Sequence, residues 1–412
     1  MDIIDAKNHP ANDGLDFQFF GSISKEVLCN YLSRSLIYSD EKRDEYGLTG
    51  DETARFILHL GAKYIGRANT KWSPSAADVE KIASRKGELA AVHAFDPDVV
   101  FEACIFECVN KDDINSIPIP DWVFTAFGRQ PENRHFRYED MIFADGRFLH
   151  QWGEDFSVPD MTREETQMLF YYRARLFIDA GYEGLHMGQV HLIGASDTGW
   201  KCWTKVLNMI REYAKTHARR KFVLINAHTH GIIGSDGLLM FDFHVFPLRL
   251  ASALGSAPHL PAEGNPQKAV IKVGNVDSIY GRSLGGKTHS GWTCDRLPYF
   301  VEFDNFGVCD ERIDTPDNLD HFIWGKDEIA WYAEQPQSYR KEFVEYAYQT
   351  IRNFGEDGFL ELPGRRICPT RCDSNSFSVG YFAANSRRFY EKGNDDEDFL
   401  CDIWVADRQS RA

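Results

Sequence analysis

"PYFVEFDNFG", residues 298–307, decides how this chain is read. Its apolar residues have the spacing of a strand packed beneath helices, yet it also carries Glu302, Asp304 and Asn305. Successive side chains of a strand point to opposite faces. Phe300, Glu302 and Asp304 therefore share one face, and Val301 and Phe303 take the other. The apolar pair belongs against helices, which sends the acids to the opposite side. If the sheet rolls up, that side is the interior, and acids late in a strand lie at the end where parallel barrels carry their sites.

Outward from this stretch, strand-like and helix-like segments alternate. Strands are expected at "FQFFGS" (17–22), "KYIGRA" (63–68), "DVVFEACIFECV" (98–109), "EGLHMGQVHLIG" (183–194), "KFVLINAHTHG" (221–231), "GLLMFDFHVFPLRL" (237–250) and "AVIKVGNVDS" (269–278), with 298–307 as the eighth. Helices are expected at 24–34 behind Ser24, at 49–62 ending on Gly61, and from Ser73 or Ser75 to Phe95. Others fall at 162–181 behind a Thr162–Glu165 capping box, at 196–218 and at 326–355. The pattern predicts a (β/α)8 TIM barrel over residues 1–355, with an insertion at about 110–161 and a C-terminal extension, 356–412, packed on it. An open doubly wound sheet is the alternative, and the missing G-x-G-x-x-G after the first strand counts against it.

The same parity test places polar residues at most strand ends. It gives Arg67 and Asn69; Glu107, with Glu102 of opposite parity as its rival; Gln189 and His191; Asn226, His228 and His230; Asp242 and His244; Asn275 and Asp277. A single such residue would be read as a satisfied core group. Many together imply a polar pocket, because a buried polar group left unpaired costs about 1–3 kcal/mol. Carboxylates, amides, Arg and His suit a dense array of hydroxyls. Trp72, Trp122, Trp200 and Trp292 follow strands closely enough to stack on a sugar face.

Composition sets outer bounds. The 412 residues are 43% hydrophobic, enough for a large core, and 46 basic against 62 acidic residues leave a formal charge of −16. That balance excludes a nucleic-acid or anionic-membrane surface as the expected partner. Nine cysteines, an odd number, cannot all pair within the chain. With no sequon, no apolar leader and no membrane-length apolar run, a cytoplasmic protein is expected, a cleaved leader being the alternative. "YGRSLGGKT" (280–288) has glycines before Lys287 and Thr288 but not phosphate-loop spacing, and no G-x-S-x-G elbow occurs.

This order of elements, with acids and aromatics at strand ends, resembles the TIM-barrel glycoside hydrolases over residues 15–355. The resemblance implies two carboxylates at the mouth of the barrel and a small carbohydrate substrate, with no cofactor. In many such enzymes the acids end the fourth and seventh strands. Here those strands end in Gln189 and His191 and in Asn275 and Asp277, so the catalytic candidates become Glu302, Asp304 and Glu107.

Arg67, Trp72, Gln189, His191, Asn226, His228, Asp242, His244, Asn275, Asp277 and Trp292 are the candidate substrate ligands. Glu302 and Asp304, about 6.6–6.8 Å apart along a strand, are expected to raise one another's proton affinity, as a general acid requires. The plainer reading is that Glu302 ties down Arg67 or a histidine. Two further readings compete. In one, a divalent metal is held by His191, His228, His230 or His244 with Asp or Glu, for a hydrolase or sugar isomerase. In the other, the barrel binds sugar without catalysis.

Overall fold

A computed structural model describes residues 14–40, 50–253, 268–274, 278–304, 328–369, 378–385 and 393–411. Its centre is a curled, ten-stranded sheet. In chain order the strands are β1 (Ser35–Tyr38), β2 (Tyr64–Asn69), β3 (Val100–Cys104), β4 (Gly184–His186), β5 (Leu224–His228), β6 (Phe243–Pro247), β7 (Tyr299–Glu302), β8 (Gly358–Leu360), β9 (Leu362–Pro369) and β10 (Ser378–Phe382). Their spatial order is β8-β7-β6-β5-β4-β3-β2-β1-β9-β10. Every neighbouring pair is parallel except β9 with β10.

β8 and β9 are separated by Glu361 alone. β8 bonds β7 and β9 bonds β1, and the Glu361 amide donates to the Val301 carbonyl at 2.9 Å. Both ends of the parallel array thus run along one stretch of chain. On β2, one strand beyond β1, a Cβ added to Gly66 would lie 2.0 Å from Glu361 Oε1.

Side chains sort by alternation, as the opening stretch requires. Phe300 joins Tyr64, Val100, Leu224, Phe243, Val245 and Phe359 in one buried cluster. Val301 and Phe303 join Ile65, Phe101, Leu185, Ile225 and Phe246 in another, packed beneath helices. Those helices include α2 (Gly50–Leu60), α3 (Ala77–Phe95), α4 (Glu164–Ala180), α5 (Lys201–His217), α6 (Glu328–Glu334) and α7 (Gln337–Asn353), which follow α1 (Lys25–Leu32). The first cluster is closed by the N-terminal segment: Phe17, Ile23 and Val27, Leu28, Tyr31 and Leu32 of α1 pack into it.

Several expectations are corrected. Residues 17–22 form no strand. Phe17 packs edge-on against Tyr31 at 5.2 Å, so its apolar residues plug the sheet's interior rather than pair within it. The first strand is instead β1, directly after α1. Ala269–Ile271 pairs with Leu250–Ser252 in a separate two-stranded sheet. β8 and β9, in the stretch expected to be an extension, join the central sheet instead. α8 (Glu397–Arg411), from the same stretch, is tied to α2 by the 2.6 Å Arg55–Glu397 ion pair. The expected helix 326–355 is two helices, with Pro336 at the N-cap of the second.

Caps divide similarly. Ser24 Oγ accepts from the Val27 amide at 3.1 Å, as expected. The Thr162–Glu165 box does not form, because Asp160 accepts the Thr162 amide and Glu165 pairs with Arg134. Neither Ser73 nor Ser75 caps α3; Asp78 accepts the Ser75 amide at 2.6 Å. The 110–161 excursion holds short helices Lys111–Asn115 and Asp121–Ala126, whose apolar residues pack with Met168, Leu169 and Tyr172 of α4. Among the described residues, no helix is long and apolar enough to cross a membrane, and six cysteines are unpaired.

The contact between Gly66 and Glu361 gives a test of how β2 meets the β8–β9 stretch. Gly66→Ala is expected to cost about 1–3 kcal/mol, as overpacking does. The same substitution on a Glu361→Ala background should cost clearly less. Urea unfolding of the four-protein cycle measures both; equal penalties would refute the contact.

Candidate functional site

β7 delivers Glu302 to the interior with none of its side chain exposed. Arg67 reaches it from β2: Nε donates to Oε2 at 3.0 Å, and Nη2 pairs with Oε1. Strict alternation would turn Arg67 away, since Ile65 faces the helices and Gly66 faces Glu361. The β2–β3 register shifts between Ile65 and Asn69, and Arg67 adopts φ 59. This irregularity re-aims the guanidinium inward, the usual effect of a bulge. Phe106 supports it, 5.3 Å from ring centroid to guanidinium carbon. His228, last in β5, completes the group through Nε2, 2.6 Å from Glu302 Oε1.

These neighbours settle how Glu302 titrates. Burial opposes its ionisation, but the Arg67 charge and the His228 hydrogen bond outweigh burial and hold it well below the usual carboxylate range. The expectation that Asp304 would raise it is therefore corrected, and the plainer reading, in which Glu302 ties down Arg67 and a histidine, describes the contacts. Asp304 is buried on the same face, its carboxylate 4.0 Å from both Arg249 and Arg366. Ligand atoms of His228, Glu302 and Asp304 all lie within 4.8 Å of one another.

A second layer lies beneath. Glu102 accepts from Tyr64 Oη at 2.6 Å and from the Asn226 amide at 3.2 Å. Asn226 Oδ1 meets His186 Nδ1 at 2.7 Å. Glu361 accepts from Ser35 Oγ at 3.0 Å, while its Oε2 is buried with no hydrogen-bond partner. Burial and the nearby charges of Glu302 and Glu102 push Glu361 well above the usual range. Burial likewise raises Glu102, against Arg67. It drives His186 far below the ordinary imidazole value, helped by Arg67 and His228.

Other expected residues are dispersed. Glu107 lies beyond β3 and accepts the Gln189 amide at 3.1 Å, without a described contact to Glu302. Gln189 and His191 fall past β4, at the start and within the short helix Val190–Ile193; His191 Nε2 meets Thr229 Oγ1 at 3.0 Å. Asp242 precedes β6 and bonds Arg211 of α5, so it faces the helices. His244 shares that side, with Nδ1 on Ser283 Oγ at 2.7 Å, and burial with His230 pushes it down to about 3.

Asn69 turns to Tyr182 and His230 stacks on Phe246 at 4.5 Å. The proposed His191, His228, His230 and His244 set does not gather around one ion; among the described residues the sole candidate cluster is His228, Glu302 and Asp304. Trp292 donates to the Ile23 carbonyl beside the N-terminal plug, at the opposite end of the sheet's interior from this site. Trp72 is 39% exposed next to Trp152. Trp122 packs against Tyr172 of α4, and Trp200 against His191. Asn275 and Asp277 lie outside the described residues.

Glu361 and His186 were not anticipated. The first was hidden in a presumed extension. The second was hidden because β4 stops before Gly188, at φ 63, and so exposes the opposite parity from the one chosen.

No sequence family and no curated protein matches the chain. Solved structures with partial likeness include glycosidases. A GH27 β-L-arabinopyranosidase from Geobacillus stearothermophilus, in complex with arabinose, shares 11% identity and a TM-score of 0.29, covering 53% of this chain and 54% of its own. An α-galactosidase from Thermus thermophilus gives 12% and 0.31, covering 54% and 45%. This chain thus spans about half the length of these structures, and likeness of that extent carries no argument about activity.

The two carboxyls predict opposite pH behaviour. Glu302, depressed when folded, stabilises above the ordinary glutamate range, and that contribution disappears as pH falls through its folded value. Glu361, raised when folded, favours folding at low pH, and its contribution is lost as pH climbs above the ordinary glutamate range. Glu361→Gln should therefore lessen the decline of Tm with rising pH, whereas Arg67→Met should weaken stability by about 3–5 kcal/mol by leaving a buried carboxylate unpaired. Melting curves from pH 4 to 8 check both signs; a Glu361→Gln profile parallel to wild type would contradict the assignment.

Proposed function

We propose that the protein is a carbohydrate-active enzyme, a glycoside hydrolase working at the mouth of a (β/α)8 barrel whose parallel array closes through residues 358–369. The supporting observation is the buried, ionised Glu302 at the end of β7, with Asp304 two residues on in the same polar interior. The continuation of β8 into β9 supports reading the barrel and the C-terminal stretch as one unit.

Glu302, kept anionic, suits the role of nucleophile or electrostatic partner to an oxocarbenium-like transition state. It does not suit the general acid, which must carry a proton. Asp304 and Glu107 are the remaining carboxyls to be tested for that role in this reading. His228 and Arg67 orient Glu302, and Asn226 with His186 stiffens the layer beneath.

A second reading, a metal-dependent hydrolase, is favoured by the convergence of His228, Glu302 and Asp304. Neutral imidazole and two carboxylates are apt ligands for a divalent ion. Arg67 weighs against it, because its guanidinium already compensates Glu302 and would repel a cation.

The test is a panel of aryl glycosides assayed with wild type, Asp304→Asn and the Arg67→Met/Glu302→Gln double variant. Removing both members of the buried pair avoids leaving one charge stranded. Turnover of at least one glycoside is expected, falling by about a hundredfold or more in each variant, the lower range for general acid–base loss. A folded double variant with most of its activity would end this assignment. Metal analysis separates the readings: turnover should survive dialysis against EDTA, and a stoichiometric ion whose removal abolishes activity would favour the metal.

A further inference from the structure

The loop carrying residues 145–156 holds three non-glycine residues in left-handed backbone: Phe148 at φ 57, His150 at φ 56 and Asp155 at φ 60. Such conformations each cost of the order of 1–3 kcal/mol and persist where surrounding bonds over-determine them. Here they do. The Asp155 amide donates to His150 Nδ1 at 2.9 Å, the His150 amide to Ser157 Oγ at 2.8 Å, and the Trp152 amide to the Phe156 carbonyl at 3.1 Å.

The product of this constraint is an aromatic face. Trp72, in the loop after β2, lies 5.6 Å from Trp152 and 6.2 Å from Phe156, its ring within 19° of parallel to the phenyl. Trp72 remains 39% exposed, and Trp152 and Phe156 are half-buried. A core-packing role would bury the indole; this arrangement leaves it partly exposed against two other rings.

A relay of hydrogen bonds links the face to the Glu302 site. Trp152 Nε1 donates to the Glu107 carbonyl at 3.2 Å, and Glu107 Oε2 accepts the Gln189 amide at 3.1 Å. The adjacent Gly188 carbonyl accepts the His228 amide at 3.1 Å, and His228 bonds Glu302. Trp72 itself follows Arg67 by five residues.

We propose that Trp72, Trp152 and Phe156 form a stacking subsite for a second sugar ring, so that the ligand is a neutral oligosaccharide or polysaccharide chain rather than a single glycoside. A pyranose presents a flat C–H face to an indole and hydroxyl edges to groups beside it. This rests on the carbohydrate reading of the Glu302 site and extends it along the rim.

Native affinity electrophoresis through gels containing hydroxyethyl cellulose, xylan, galactomannan or soluble starch tests the subsite independently of turnover. Wild type should be retarded in at least one gel. Trp72→Ala should weaken that retardation about tenfold in Kd, with Trp72→Phe in between, since a smaller ring keeps part of the stacking. The Arg67→Met/Glu302→Gln double variant should still be retarded. Retardation without hydrolysis of any glycoside leaves the subsite standing and defeats the hydrolase reading. Hydrolysis of aryl glycosides without retardation in any gel, or retardation unchanged in Trp72→Ala, overturns the subsite; neither hydrolysis nor retardation overturns both.

Discussion

The buried pairing of Arg67 with Glu302 is the constraint on which the interior depends. Two charges taken from water are tolerated only when each is well compensated, and removing either strands the other. That requirement accounts for the left-handed backbone at Arg67, which turns the guanidinium inward where simple alternation would not. It also accounts for His228, whose hydrogen bond satisfies a further lone pair of Glu302.

The pair also sets the character of the layer around it. One guanidinium cannot compensate three buried carboxyls. Glu302 takes the strongest contacts and stays ionised, and Glu102 and Glu361 are pushed toward their neutral forms. Tyr64, Asn226 and Ser35 supply hydrogen bonds in place of charge. A single sheet interior thus holds acids in different protonation states through burial and neighbours alone, the general way a fold separates acid from base.

Geometry beneath the pair is equally constrained. Gly66 lacks the Cβ that would collide with Glu361, and Glu361 is the sole residue between β8 and β9. The N-terminal segment and α1 fill the other end with Phe17, Leu28 and Tyr31. The Arg67–Glu302 pair and the polar layer around Glu102 and Glu361 thus sit above an apolar plug.

The sequence by itself determined the parity of its most informative strand. Phe300, Glu302 and Asp304 against Val301 and Phe303 follow from the two-residue repeat of extended chain, and Asn226 and His228 follow by the same rule. It also determined α1, α2 and the parallel βα order, because capping and apolar periodicity are local. Only tertiary structure decided the rest. Whether 17–22 would pair or plug, whether 358–369 would join the sheet, and where β4 would stop depended on which partners were within reach. Arg67 reached the inward position expected of it only through a register shift that no repeat encodes, while Asn69, of the same parity, turned to Tyr182. Most of all, the charge state of Glu302 was decided across the sheet: its proton is governed by Arg67, distant in sequence, more strongly than by Asp304 two residues away.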